Sequence, residues 1–156
     1  MDPEISPSRL VAGSLHFAAL QSGGLSAVAP GRHLIESTFI VSMFARLGAA
    51  LCFLAVALGA FGAHAFKSVI ERNGLVEVWN KAVFYHFIHA IAIFVLAYSG
   101  TIQRGASWVF CAGICLFSGS LYAMALTNLR WLGAITPLGG LCFLAGWAWL
   151  FLVPRE

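Results

Sequence analysis

The chain has 156 residues, enough for one domain, of which 60% are hydrophobic and only 10% charged. Soluble domains carry roughly 25% charged residues, so a mean hydropathy of +0.88 leaves this chain without the charge to cover a water-facing surface. The net charge of +3 is spread through loops with no basic stripe or interleaved aromatics, so it makes no case for nucleic acid, which is not expected as a partner.

Residues 1–42 differ in texture from the rest. Pro3, Pro7, Pro30, Gly23, Gly24 and Gly31 punctuate a Ser-rich stretch, and the apolar run from Leu10 to Leu20 is shorter than the ~20 residues a bilayer demands. Ala27, Val28 and Ala29 have the small-residue form of a signal-peptide cleavage site, but Asp2 and Glu4 contradict a basic leader. The stretch reads as a mobile extension, or as translation from upstream of a start at Met43.

From Met43 onward the pattern is all-α and polytopic: a four-helix transmembrane domain over 43–153, with helices expected at about 43–66, 80–100, 105–127 and 132–153. Only helices satisfy every backbone group within a single membrane-crossing segment. The connections hold Lys67, Glu71, Arg72, Glu77, Lys81, Arg104 and Arg130. Trp79, Tyr98, Trp108 and Trp131 sit at run ends, where interfacial aromatics belong. Lys67, Arg72, Lys81 and Arg130 lie on one side, Arg46, Arg104 and Arg155 on the other with Arg32 further off, so positive charge leaves orientation open.

Small residues at four-residue spacing mark helix-packing ridges: Ala55, Gly59 and Ala63 on the first helix, and Cys111, Cys115, Gly119, Ala123 and Thr127 on the third. Both are expected to close the bundle within one chain, with a homo-oligomer as the alternative. Cys52, Cys111, Cys115 and Cys142 all fall in apolar runs and read as small apolar fillers. In the fourth run, Pro137 either kinks a helix starting at Leu132 or opens one capped by Thr136. The capped version is expected, leaving 129–135 as an interfacial stretch.

Tracing the chain up and down gathers its polar residues into one leaflet: His64, His86, His89, Ser118, Ser120, Tyr122 and Thr136. Membrane-embedded histidine is costly and faces the bundle interior or a wet cavity. Three imidazoles could ligate a metal or haem iron. The membrane runs, however, offer no Asp or Glu companion, and neither a catalytic residue set nor a bound cofactor is expected. Instead, His64 and His89 are expected to hydrogen-bond across helices to Tyr122, Ser118 or backbone carbonyls. Ser118 and Ser120 can also return their hydroxyls to the preceding turn.

Five segments carry a family resemblance: Leu58-Gly59-Ala60-Phe61-Gly62-Ala63-His64; Tyr85 with His89-Ala90; Leu116-Phe117-Ser118-Gly119-Ser120-Leu121-Tyr122; Thr136-Pro137-Leu138-Gly139-Gly140; and Ala145-Gly146-Trp147. Together they resemble the domain-of-unknown-function 423 family, which includes the transmembrane protein 256 group. The resemblance covers about 43–153 and implies a four-helix protein of bacterial inner membranes or eukaryotic membranes, with no established activity. His64, His89, Ser118, Ser120, Tyr122, Thr136 and Pro137 match the pattern. His86 departs from it, at a position where the family often has Gln, and the family's usual start resembles the region from Met43. The function expected is that of a small, non-enzymatic subunit or assembly protein in contact with the lipid bilayer and other membrane proteins. The alternatives are permeation of a small solute or proton through the polar leaflet, and haem or metal binding.

Overall fold

A computed structural model describes residues 30–99 and 103–153, with side chains from residue 38 on. Residues 1–29, including the 10–20 run and the signal-like site, lie outside the described residues. The chain divides into two compact units, 1–34 and 35–156. In the first, only the start of a helix is described; the helix packing belongs to the second.

Helix α1, Pro30–Ala63, begins well before the expected boundary at 43. No Gly or Pro interrupts residues 32–47, so nothing in the backbone stops a helix there. The short α2, Lys67–Arg72, fills the first connection and ends at Gly74, whose φ of +67° is the left-handed value glycine adopts without strain. Helix α3, Val76–Tyr98, starts four residues earlier than expected, which places Glu77 in its first turn against the positive end of the helix dipole. Helix α4, Arg104–Gly113, passes through a π-helical turn at Ile114–Ser118 into α5, Gly119–Thr127. A 3₁₀ segment, Arg130–Ala134, leads into α6, Thr136–Leu152.

Four spans are long and apolar enough to cross a membrane: Thr38–Ala63, Val76–Tyr98, Arg104–Thr127 and Arg130–Leu152. The second and third bury about twice as much of themselves as the first and fourth, so α3 and α4–α5 form the middle of the bundle. Backbone approach depends on glycine. A Cβ at Gly48 would lie 2.7 Å from the Phe94 nitrogen, and one at Gly146 would lie 2.4 Å from the Phe110 ring. The Ala55–Gly59 ridge packs inward as expected, with Gly59 against Val83. Beyond it the seam continues through Gly62, against the Trp79 ring, and not through the exposed Ala63.

The third-helix ridge behaves differently. Cys115, Gly119 and Thr127 face outward, while Phe110, Ile114, Ser118, Leu121 and Ala125 are buried. A four-residue ridge presumes an unbroken α-helix. The π turn inserts extra rotation, with the Gly119 N–H reaching back five residues to the Ile114 carbonyl, and so changes which side chains meet the bundle. For Cys115, Gly119 and Thr127 the expectation that this ridge closes the chain on itself is therefore corrected, while Cys111 packs against the core.

Trp79 is corrected too. It is 2% exposed, and its indole Nε1–H donates to the Leu58 carbonyl of α1 at 3.2 Å, whereas Tyr98, Trp108 and Trp131 are exposed at span ends as expected. At this end of the bundle, Asn73 Nδ2 donates to the Ala125 carbonyl at 2.9 Å and to the Leu126 carbonyl at 3.4 Å. These belong to the last turn of α5, where no helical donor follows. Asn128 (φ 58°) closes that helix in the left-handed region. Asn73→Ala is expected to lower stability by about 1–2 kcal/mol, since it leaves those carbonyls unpaired. Thermal unfolding in detergent, compared with the exposed Ser68→Ala change, measures it; equal melting would show that the bridge contributes nothing.

Candidate functional site

Helix α3 supplies both buried histidines, because positions three apart lie on adjoining faces and here look in different directions. His89 Nδ1 lies 2.8 Å from the Tyr85 carbonyl one turn earlier, and the Trp147 Nε1–H of α6 donates to His89 Nε2 at 3.1 Å. Indole nitrogen is a donor only, so Nε2 must be the bare nitrogen and Nδ1 carries the proton to the Tyr85 carbonyl. The imidazole is neutral with a single tautomer, and both nitrogens are taken. Its ring also stacks on Phe143 at 3.6 Å between centroids and 9° between planes.

His86 faces the other way. Its Nδ1 is 3.4 Å from the Tyr122 hydroxyl, whose ring packs edge-on to Trp79 at 4.8 Å. His86 Nε2 and the fully buried Ser118 Oγ have no hydrogen-bond partner. Ser120 Oγ donates to the Phe117 carbonyl at 2.9 Å, so it accepts from the Thr136 hydroxyl at 3.0 Å. Thr136 therefore joins two helices and does not cap its own. Helix α6 starts with Thr136 at its first position and Pro137 at its second, with no side-chain cap.

The expected polar cluster thus separates into three pairs, His89–Trp147, His86–Tyr122 and Ser120–Thr136, with Ser118 solitary. His64 is exposed in the turn after α1, and the expected His64 bond to Tyr122 or Ser118 is corrected: His86 holds Tyr122. His89 likewise takes Trp147 and the Tyr85 carbonyl in place of Tyr122. Among the described residues, no three His, Cys, Asp or Glu side chains come together, so His64, His86 and His89 do not converge on one point. Trp147 is the residue that sequence reasoning missed. Its signal was its place in the Ala145-Gly146-Trp147 segment, which carries part of the family resemblance.

A cavity of about 640 Å³ opens beside this centre, between α3 and α6, with Tyr85, His89, Phe117, Leu141 and Trp147 among its walls. A smaller one of about 280 Å³ lies at the α1–α2–α3 junction beside Gly62, Lys67, Glu71 and Trp79.

The model of the protein family of unknown function DUF423 matches residues 58–140, which hold every one of these polar residues except Trp147. The chain belongs to the DUF423 family. It is similar to the UPF0382 membrane protein YwdK of Bacillus subtilis (strain 168), at 45% identity over 113 residues that span 69% of this chain and 91% of that protein. It is also similar to the UPF0382 membrane protein SH2409 of Staphylococcus haemolyticus, at 41% identity over 116 residues, 72% of this chain and 94% of the relative. The Staphylococcus aureus protein SAB0533 stands at the same identity and coverage. No solved structure matches. Like its relatives, this DUF423 chain is a membrane protein, multi-pass by its four spans and in contact with the bilayer. The relatives' names assign no activity.

Proposed function

We propose that the protein is a small, non-enzymatic interaction or assembly subunit of a larger membrane complex. One observation carries the reading. Its polar side chains bond mostly to one another, in helix-joining pairs such as Trp147–His89 and Ser120–Thr136, while the small-residue ridge of Cys115 and Gly119 is turned outward. Inward polar bonding of this kind serves the fold. An outward small-residue face lets another helix approach closely, the geometry that drives association where lipid removes the hydrophobic drive.

The test is purification from native membranes in mild detergent. The wild-type chain is expected in a complex with a second membrane protein. Gly119→Leu, whose Cβ position is 4.0 Å from its nearest neighbour and so tolerates a side chain, is expected to lose that complex and keep the melting behaviour of the wild type. A lone, monodisperse wild-type chain would count against the proposal.

A further inference from the structure

Two buried polar atoms take no part in the pairs described above. His86 Nε2 and Ser118 Oγ have no hydrogen-bond partner, and their residues are 2% and 0% exposed. Each gave up water on folding, a cost that only a new hydrogen bond offsets, so orphans of this kind are few in native structures. Two on packed elements call for one explanation.

The neighbouring contacts place both atoms in one seam. Helix α3 packs against the π turn and against α5. Tyr85 meets Phe117 at 4.8 Å between ring centroids, and His86 meets Tyr122 through the 3.4 Å approach of Nδ1 to the hydroxyl. Ser118 follows Phe117 directly and lies one turn before Tyr122, so these two contacts bracket it and bring it level with His86. Its usual local outlet is occupied. A serine hydroxyl ordinarily returns to the carbonyl one turn back, but across the π turn that carbonyl, of Ile114, receives the Gly119 N–H.

The chemistry narrows the occupant. Nε2 is a donor or an acceptor according to the imidazole tautomer, and a serine hydroxyl is both. Water matches every one of these combinations, and it is small enough for a site closed to the outside. Buried waters sit where otherwise unsatisfied polar groups converge.

We propose that one ordered water bridges His86 Nε2 to Ser118 Oγ and ties α3 to the π turn inside the membrane span. The site is independent of the interaction reading above. It lies on the inward face of the third span, whereas that reading uses Cys115 and Gly119 on the outward one.

Proton-detected solid-state NMR of the full chain in liposomes, with isotope-labelled histidine, tests the assignment through magnetisation passed from water to each ring. The histidines supply their own controls. His64, exposed in the turn after α1, is expected to receive it, and His89, with both nitrogens bonded to protein groups, is expected to receive none. His86 is buried as deeply as His89 yet is expected to give a clear water signal. Ser118→Ala is expected to abolish that signal while His64 and His89 stay as in the wild type. Ser118→Cys, close in shape and a weak hydrogen-bonding group, serves should Ser118→Ala fold poorly. A dry His86 in the folded wild type would overturn the proposal, whether Nε2 then meets Ser118 directly or meets nothing. An undiminished signal in the folded Ser118 variant would overturn it equally.

Discussion

Gly139→Ala is expected to destabilise the protein by about 3 kcal/mol, toward the upper end for overpacked cores, whereas the same change one residue on, Gly140→Ala, is expected to do no harm. A Cβ at Gly139 would stand 2.3 Å from the Phe117 nitrogen and 2.7 Å from its Cα. These are backbone atoms of the π turn, which cannot swing aside as a side-chain tip would. Either α6 moves away or the turn re-forms as regular helix, and each loses the Phe117–Phe143 packing at 5.5 Å. At Gly140 the nearest atoms are 3.9 Å away on a ring, ordinary contact. There alanine should gain about 0.5–1 kcal/mol through its better helix propensity. Comparing the two in thermal unfolding cancels everything except the close approach. Similar melting for both would show that α6 does not sit on the π turn.

Removing the ring of His89 should rank with it. His89→Ala deletes a buried ring stacked on Phe143 and strands the Trp147 N–H. The cavity and the orphaned donor together are expected to cost about 3–5 kcal/mol. His89→Phe keeps the stack and loses the acceptor for Trp147 together with the Nδ1–H bond to the Tyr85 carbonyl, so a smaller cost of about 1–2 kcal/mol is expected. The diagnostic is a double-mutant cycle with Trp147→Phe. If the indole donates to His89 Nε2, the double variant His89→Phe/Trp147→Phe should fall short of the summed single effects by about 0.6–1.7 kcal/mol, as interhelical hydrogen bonds in membranes do. Strict additivity would show that the bond adds nothing. The single tautomer has its own signature: the nitrogen shifts of His89 should report a protonated Nδ1 and a bare Nε2 in the bilayer, and the reverse assignment would exclude Trp147 as donor.

The contacts behind these two effects differ in how far the chain discloses them. The importance of His89 could be read from the chain, since an imidazole in a run of apolar residues needs a partner wherever it sits. Its actual partner could not, because Trp147 lies 58 positions away and its register against His89 depends on the angle between α3 and α6. The Ser120–Thr136 pair is an intermediate case. Both residues stood in the expected cluster, yet Thr136 reads locally as a cap, and only the neighbouring helix diverts its hydroxyl. His64 failed for the opposite reason: nearness to the right side of the membrane placed it in the group, and the end of α1 left it exposed.

The amino-acid sequence alone determined that the chain crosses the membrane four times, where the spans lie to within a few residues, and that most of its buried polar groups seek partners inside the bundle. Those are consequences of composition and length, because lipid forbids unpaired backbone and discourages isolated polar side chains irrespective of fold. Only the tertiary structure decided which groups pair, that Trp79 is a buried strut, and that the third helix turns its small ridge outward. The cause is rotational. A π turn of five residues reorients the third span about its axis, and no count of residue types along one helix specifies the angle at which it meets the next.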